Sequence, residues 1–104
     1  MVTKDMVIDG LRKVMDPEIG LNIYDLGFIY KIDITPEGKI DIDMTLTVPG
    51  CPMSAFLVSQ VKQNLNQIEG VKEVNVQLVF EPKWSPEKLT EQGKQELRSR
   101  GYNI

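Results

Sequence analysis

Histidine is absent from this sequence, and cysteine occurs once, at position 51 of 104. Without a histidine there is no imidazole to serve as general base or metal ligand, so one chain cannot run cysteine-histidine hydrolysis or build a histidine-bearing zinc site. One cysteine cannot close an internal disulfide, so the fold must rest on a core and not on staples, which agrees with a reducing compartment. With 41% apolar and 26% charged residues, a chain of this length supplies that core, burying somewhat over ~60% of its extended surface. Positive charge is also scarce: twelve Lys and Arg stand against fifteen Asp and Glu, a net charge of -3, and the basic residues are scattered. Phosphate binding needs a positive stripe, so no nucleic-acid partner is expected. No apolar run approaches the ~20 residues of a bilayer span, and the opening MVTKDMVIDG carries acids where a secretory signal would be uninterruptedly apolar. The expectation is a cytoplasmic protein with no membrane partner, organised as one domain over residues 1–104.

What is present has clear periodicity. Val7, Ile8, Leu11, Val14 and Met15 recur at helical spacing, with Thr3 as N-cap and Asp5 in the first turn. The helix is expected to end at Asp16, because the residue before Pro17 avoids helical geometry. PEIGLNIYDLG then reads as a structured loop. FIYKIDI, residues 28–34, puts Phe28, Tyr30, Ile32 and Ile34 on one face; IDIDMTLTV, residues 40–48, does the same with Ile40, Ile42, Met44, Leu46 and Val48. TPEGK between them supplies the turn of a β-hairpin. Its other face carries Lys31, Asp33, Asp41, Asp43, Thr45 and Thr47, so one side of the sheet is solvated or meets a partner.

Helical spacing returns over residues 53–68 (Phe56, Leu57, Val61, Leu65, Ile68), with Gly70 placed for a left-handed cap. EVNVQLVFE, residues 73–81, alternates again. The strand, helix, strand order predicts a right-handed crossover that sets the third strand parallel to the second. A last helix is expected over 87–99, weakened by Gly93 and closed near Gly101. The predicted class is α+β: a two-layer α/β sandwich in the order α-β-β-α-β-α, with a small mixed sheet and helices on one face.

The chemistry points to TLTVPGCPMSAF, residues 45–56. Pro52 suits the first helical position, so Cys51 falls at the N-cap of the second helix, where unpaired N–H groups and the helix dipole favour a thiolate. A free thiol with pKa ~8.5 is only ~3% ionised at pH 7, and a shift of one unit down raises that to ~24%. The plainer alternative is a small apolar residue filling a strand-helix junction. A redox C-x-x-C pair needs cysteine at position 54, which is Ser54, and a phosphatase loop needs arginine at position 57, which is Leu57. Thr47-Val48-Pro49-Gly50-Cys51 resembles the wording of thiol peroxidases, but their threonine stands one place nearer and an arginine completes their site; peroxidase chemistry is the weak alternative.

Metal binding is the remaining use of a thiolate. Closed zinc and iron-sulfur sites take four ligands, usually Cys or His, and one chain offers a single such residue. A cluster would therefore be shared between subunits, completed by carboxylates or small thiols, or held in passing. Asp16, Glu18 and Asp25 can supply oxygens; read more simply, Asp16 and Glu18 are surface charges and Asp25 forms a turn before Gly27. Thr45 and Thr47 can donate to a ligand or to sulfur, or can simply suit a half-exposed strand. Trp84, between Pro82 and Pro86, either covers the core or closes over the cysteine.

The succession D16-P17-E18, D25-L26-G27, T45-L46-T47-V48-P49-G50-C51-P52 and E81-P82-K83-W84-S85-P86 resembles the SufT and PaaD-like family, whose members assist iron-sulfur cluster assembly. The likeness runs from about residue 5 to residue 90. It implies the iron-sulfur assembly domain fold and a non-enzymatic maturation factor that handles a transient iron-sulfur cluster or iron. It also implies that Cys51 touches iron or sulfur, with Asp25, Thr45 and Thr47 as the other motif residues. The chain lacks the C-terminal cysteines of the PaaD branch, which favours the stand-alone SufT-like type. Assembly proteins and client apoproteins are the implied partners, and a homodimer would bring two thiolates together. The competing expectation is a metal-free adaptor that docks through Lys31, Asp33, Asp41 and Asp43.

Overall fold

A computed structural model describes residues 2–17, 19–46 and 54–102. The element order is α1 (Lys4–Leu11), β1 (Ile29–Ile34), β2 (Lys39–Met44), α2 (Ser54–Asn66), β3 (Glu73–Leu78), a 3-10 turn (Pro86–Lys88) and α3 (Glu91–Ser99). The sheet order is β1-β2-β3, antiparallel between β1 and β2 and parallel between β2 and β3, as the hairpin and crossover arguments require. Among the described residues no helix is long and apolar enough to cross a membrane.

The alternation in β2 does what a two-faced strand must do. Ile40, Ile42 and Met44 are buried, and Leu57, Val61 and Leu65 of α2 complete the same core with Val7 and Leu11 of α1. On the opposite face Lys31, Asp33 and Asp41 are exposed, leaving a depression of 470 Å³ lined also by Asp43, Asn75 and Gln77. Burial of one face and hydration of the other is the ordinary economy of a small mixed sheet with helices on one side.

The elements differ in several places from the sequence expectation. The first helix begins as expected, with the Thr3 hydroxyl accepting from the Met6 N–H at 3.2 Å, but it ends at Leu11 and not at Asp16. Two tight turns follow, after which the Val14 carbonyl accepts from the Ile23 N–H, the Asp16 N–H donates to the Leu21 carbonyl, and Met15 bridges Asn22. Val14 is buried and Met15 is 48% exposed, an alternation proper to extended chain. In β1 the register passes from Ile29↔Met44 to Lys31↔Asp43, so Tyr30 is an extra residue that resets the alternation. Ile29, not Tyr30, therefore shares the apolar side with Met44. In α2, Phe56 lies 46% exposed and off the buried stripe, and the helix stops at Asn66, four residues before Gly70.

The C-terminal helix is likewise shorter than expected, and Gly93 does not break it. Thr90 caps α3, its hydroxyl accepting from the Gly93 N–H at 3.0 Å. Gly93 is buried because the first turn of α3 lies directly on the backbone of Asp25: a Cβ at this position would stand 2.5 Å from the Asp25 carbonyl oxygen. A second close approach occurs at Gly27, whose φ of 78° is open to glycine and whose added Cβ would overlap the Lys88 carbonyl. Together these two glycines let the 20–27 loop and the 88–93 segment touch backbone to backbone.

Candidate functional site

The loop from Asn22 to Gly27 is built around Asp25. The Asn22 side-chain oxygen accepts the Asp25 N–H at 2.8 Å, and its Nδ2 donates to Asp25 Oδ2 at 2.7 Å, a local turn that Asn and Asp favour. From 65 residues away, Thr90 donates its hydroxyl to Asp25 Oδ1 at 2.7 Å and its N–H to the Asp25 carbonyl at 3.0 Å. Arg12, leaving α1, brings a guanidinium nitrogen to 3.5 Å from Oδ1 while its guanidinium lies 5.0 Å over the Tyr24 ring. The carboxylate is thus 1% exposed with a donor on each oxygen and a cation beside it. Burying a carboxylate is costly unless it is paired and hydrogen-bonded, and here it is both.

Trp84 belongs to the same construction. Its indole N–H donates to the Leu26 carbonyl at 2.6 Å, and its ring meets Phe28 edge to face at 5.8 Å. Trp84 thus packs against the core, as one of its two readings expects; the other, closure over Cys51, falls outside the described residues. The residues on either side of it lie against β1, where the Tyr30 hydroxyl donates to the Pro82 carbonyl at 2.8 Å and Lys88 stands 5.3 Å over the Tyr30 ring.

Thr45 lies at the far end of β2 and is fully buried, not half-exposed. Its N–H donates to the Phe28 carbonyl at 2.7 Å, and its hydroxyl faces the Leu46 carbonyl at 3.5 Å. Asp16 accepts the Ile19 N–H at 3.1 Å and closes its own turn. Glu18, Thr47 and Cys51 lie outside the described residues. On either side of the last two, Leu46 is buried and Ser54 begins α2. Among the described residues no three His, Cys, Asp or Glu side chains gather as a metal site.

The open face of the sheet has a different electrostatic character. Asp33 and Asp41 are directly opposed across β1 and β2, as are Lys31 and Asp43. Lys31 forms an exposed ion pair with Asp33 at 3.1 Å. The hydrogen bond and charge of Asp33, followed by the charges of Asp43 and Asp41, hold the Lys31 ammonium above its ordinary pKa.

Sequence reasoning had Asp25 and Trp84 but not Asn22, Thr90 or Arg12. Asn22 carried a local signal, the N-x-x-D spacing of a side-chain-capped turn. Thr90 also carried one, a threonine directly before a Glu- and Gln-rich helical run. That Thr90 reaches Asp25 is a tertiary fact with no local trace.

The fold and this junction define a small α+β domain in which a buried carboxylate ties the loop before the hairpin to the C-terminal helix. Residues 4–78 match the family described as iron-sulfur cluster assembly protein. The chain is 40% identical over 95 residues to an Fe-S protein maturation auxiliary factor of Porphyromonas gingivalis, covering 91% of this chain and 90% of that one. It is 38% identical to the Fe-S protein maturation auxiliary factor SufT of Staphylococcus aureus, covering 78% and 92%. A crystal structure of a domain of unknown function, DUF59, from Bacillus anthracis superposes with a TM-score of 0.85 at 34% identity, over 91% of each chain. The chain belongs to the iron-sulfur cluster assembly protein family.

Proposed function

We propose that this chain is an iron-sulfur maturation factor of the SufT-like type that takes up a transient iron-sulfur cluster or iron and delivers it to client apoproteins. The observation that carries this reading is the family match over residues 4–78, which contains Cys51, the chain's sole thiol. Two relatives bear the name of Fe-S protein maturation auxiliary factor. The cluster is cargo, and Cys51 is the ligand assigned to it. The rest of the coordination comes from a partner, a second subunit or a small thiol, because one cysteine and no histidine fall short of four ligands. Incomplete coordination suits delivery, since a cluster held by one protein thiolate passes readily to a site that offers more. In this reading Asp16 and Glu18 supply further oxygens to the cargo or set its proton balance and Thr47 donates to it, while Asp25 and Thr45 are already engaged by their own neighbours. The whole chain works as one non-enzymatic domain in the cytoplasm, where the thiol stays reduced.

Anaerobic reconstitution with iron and sulfide tests this. The wild type is expected to develop the visible absorbance of a bound cluster, and Cys51→Ala to lose it. The reading fails if neither protein binds iron and a cell lacking the protein keeps full activity of its cluster enzymes. The open charged face favours a second reading, a metal-free adaptor that docks through Lys31, Asp33, Asp41 and Asp43. That reading expects Cys51→Ala to retain function in cells and charge reversal on the sheet face to abolish it.

A further inference from the structure

The two edges of the sheet are finished differently. The β1 edge carries a bulge at Tyr30, is charged at Lys31 and Asp33, and is overlaid by the returning chain through the Tyr30–Pro82 hydrogen bond and Lys88. These are the devices by which proteins stop a sheet edge from recruiting another strand. Among the described residues the β3 edge has neither bulge nor overlay, and its one charge, Glu73, stands at its first residue, where it accepts from the Asn75 amide at 3.1 Å. Its register against β2 runs unbroken from Glu73 to Leu78, and among the described residues no strand pairs with its outer side. The charged positions of β1 and β2 are Lys31, Asp33, Lys39, Asp41 and Asp43, whereas the polar ones of β3 after Glu73 are the neutral amides Asn75 and Gln77. Residues 74–80, VNVQLVF, contain no charge and no proline, and Val76 and Leu78 remain only half-buried.

The same residues are nearly palindromic about Val76: Val74 answers Leu78, and Asn75 answers Gln77. A two-fold interface must be complementary to itself, and an antiparallel strand pair with its axis at Val76 satisfies that. It opposes apolar to apolar on the core side and amide to amide on the solvated side, with no like charges facing. We infer that the outer edge of β3 receives β3 of a second copy of this chain, joining two three-stranded sheets into one of six strands. This pairing is independent of the cargo assigned above.

Sedimentation equilibrium of the full chain across the micromolar range reads the outcome. The wild type is expected to be a dimer. The double variant Asn75→Lys/Gln77→Lys, at two exposed positions, brings ammonium against ammonium twice across the axis and is expected to weaken association by about tenfold or more. Asn75→Lys/Gln77→Glu sets opposite charges against each other in this register and is expected to restore the dimer, which also separates loss of pairing from loss of folding. A wild type that is monomeric throughout, a dimer that the double lysine variant leaves intact, or association beyond a dimer overturns the inference in favour of another occupant or another surface.

Discussion

Four aspartates show how one side chain serves opposite ends in a molecule of this size. Asp25 is buried, with both carboxylate oxygens accepting hydrogen bonds from within the chain and Arg12 alongside. Asp33, Asp41 and Asp43 stand on the open side of the sheet, where Asp33 forms an exposed ion pair with Lys31. Negative charge sealed inside with matched donors organises three segments of chain. Negative charge left in water organises nothing internally, and its value lies in what approaches from outside.

Removing the sealed charge is expected to cost most. Asp25→Ala strands the Thr90 hydroxyl, the Asn22 amide and the Arg12 guanidinium at once, and urea denaturation should report a loss of about 3 kcal/mol or more. Gly93→Ala comes next. Alanine is the better helix former by up to about 1 kcal/mol in an open helix, yet here the methyl collides with the Asp25 carbonyl, so the same measurement should show destabilisation of about 1–3 kcal/mol. A stabilised Gly93→Ala would mean that α3 does not rest on the loop. Thr90→Val keeps the shape but removes both the helix cap and the donor to Asp25. It should cost about 1–2 kcal/mol, largely recovered in Thr90→Ser.

The smallest effect belongs to the open face. Asp33→Asn should leave the urea midpoint unchanged while the Lys31 ammonium, followed by NMR titration, falls back toward its ordinary 10.5, because Asp33 is the chief cause of the upward shift. Since the folded-state value is raised, whatever this pair contributes is fully present below 10.5 and disappears as pH rises through the folded-state value. Changes of pH around neutrality therefore leave it unaltered. If Asp33→Asn unfolds the protein more readily than Thr90→Val does, the contrast between sealed and open carboxylates is wrong.

Element order, strand pairing and the one-sided burial of β2 were legible because they follow from alternation and helical spacing, signals carried by neighbours in sequence. The end of α1 was not, because Val14 and Met15 fit a helical stripe as well as an extended bridge. What chose the bridge was Leu21 to Ile23 lying alongside. Tyr30 misled for the same reason: a bulge leaves the pattern of hydrophobic residues intact while moving one of them to the other side. The threonine at 45 was read on the polar face of a half-exposed strand, and it is buried beside the last residues of β2 with its N–H bonded to the Phe28 carbonyl. At the site, Cys51 could be singled out by its chemistry and its motif. The role of Asp25 could not be separated from that of an ordinary turn former, since its decisive partner is 65 positions away.

That separation has a consequence for how the protein comes into being. A ribosome delivers residues in order, so the loop carrying Asp25 emerges 65 residues before the hydroxyl that completes it. Helices and the hairpin need only nearby chain and can form while synthesis continues, but the Asp25 junction closes only once the chain has been made through Thr90. Any product that stops short of it, whether from a premature stop codon or a protease, carries an aspartate without its Thr90 donor, in a loop without its α3 cover. The segment from Lys88 to Gly93, beyond the residues matched by the family, is therefore what completes the loop before the hairpin.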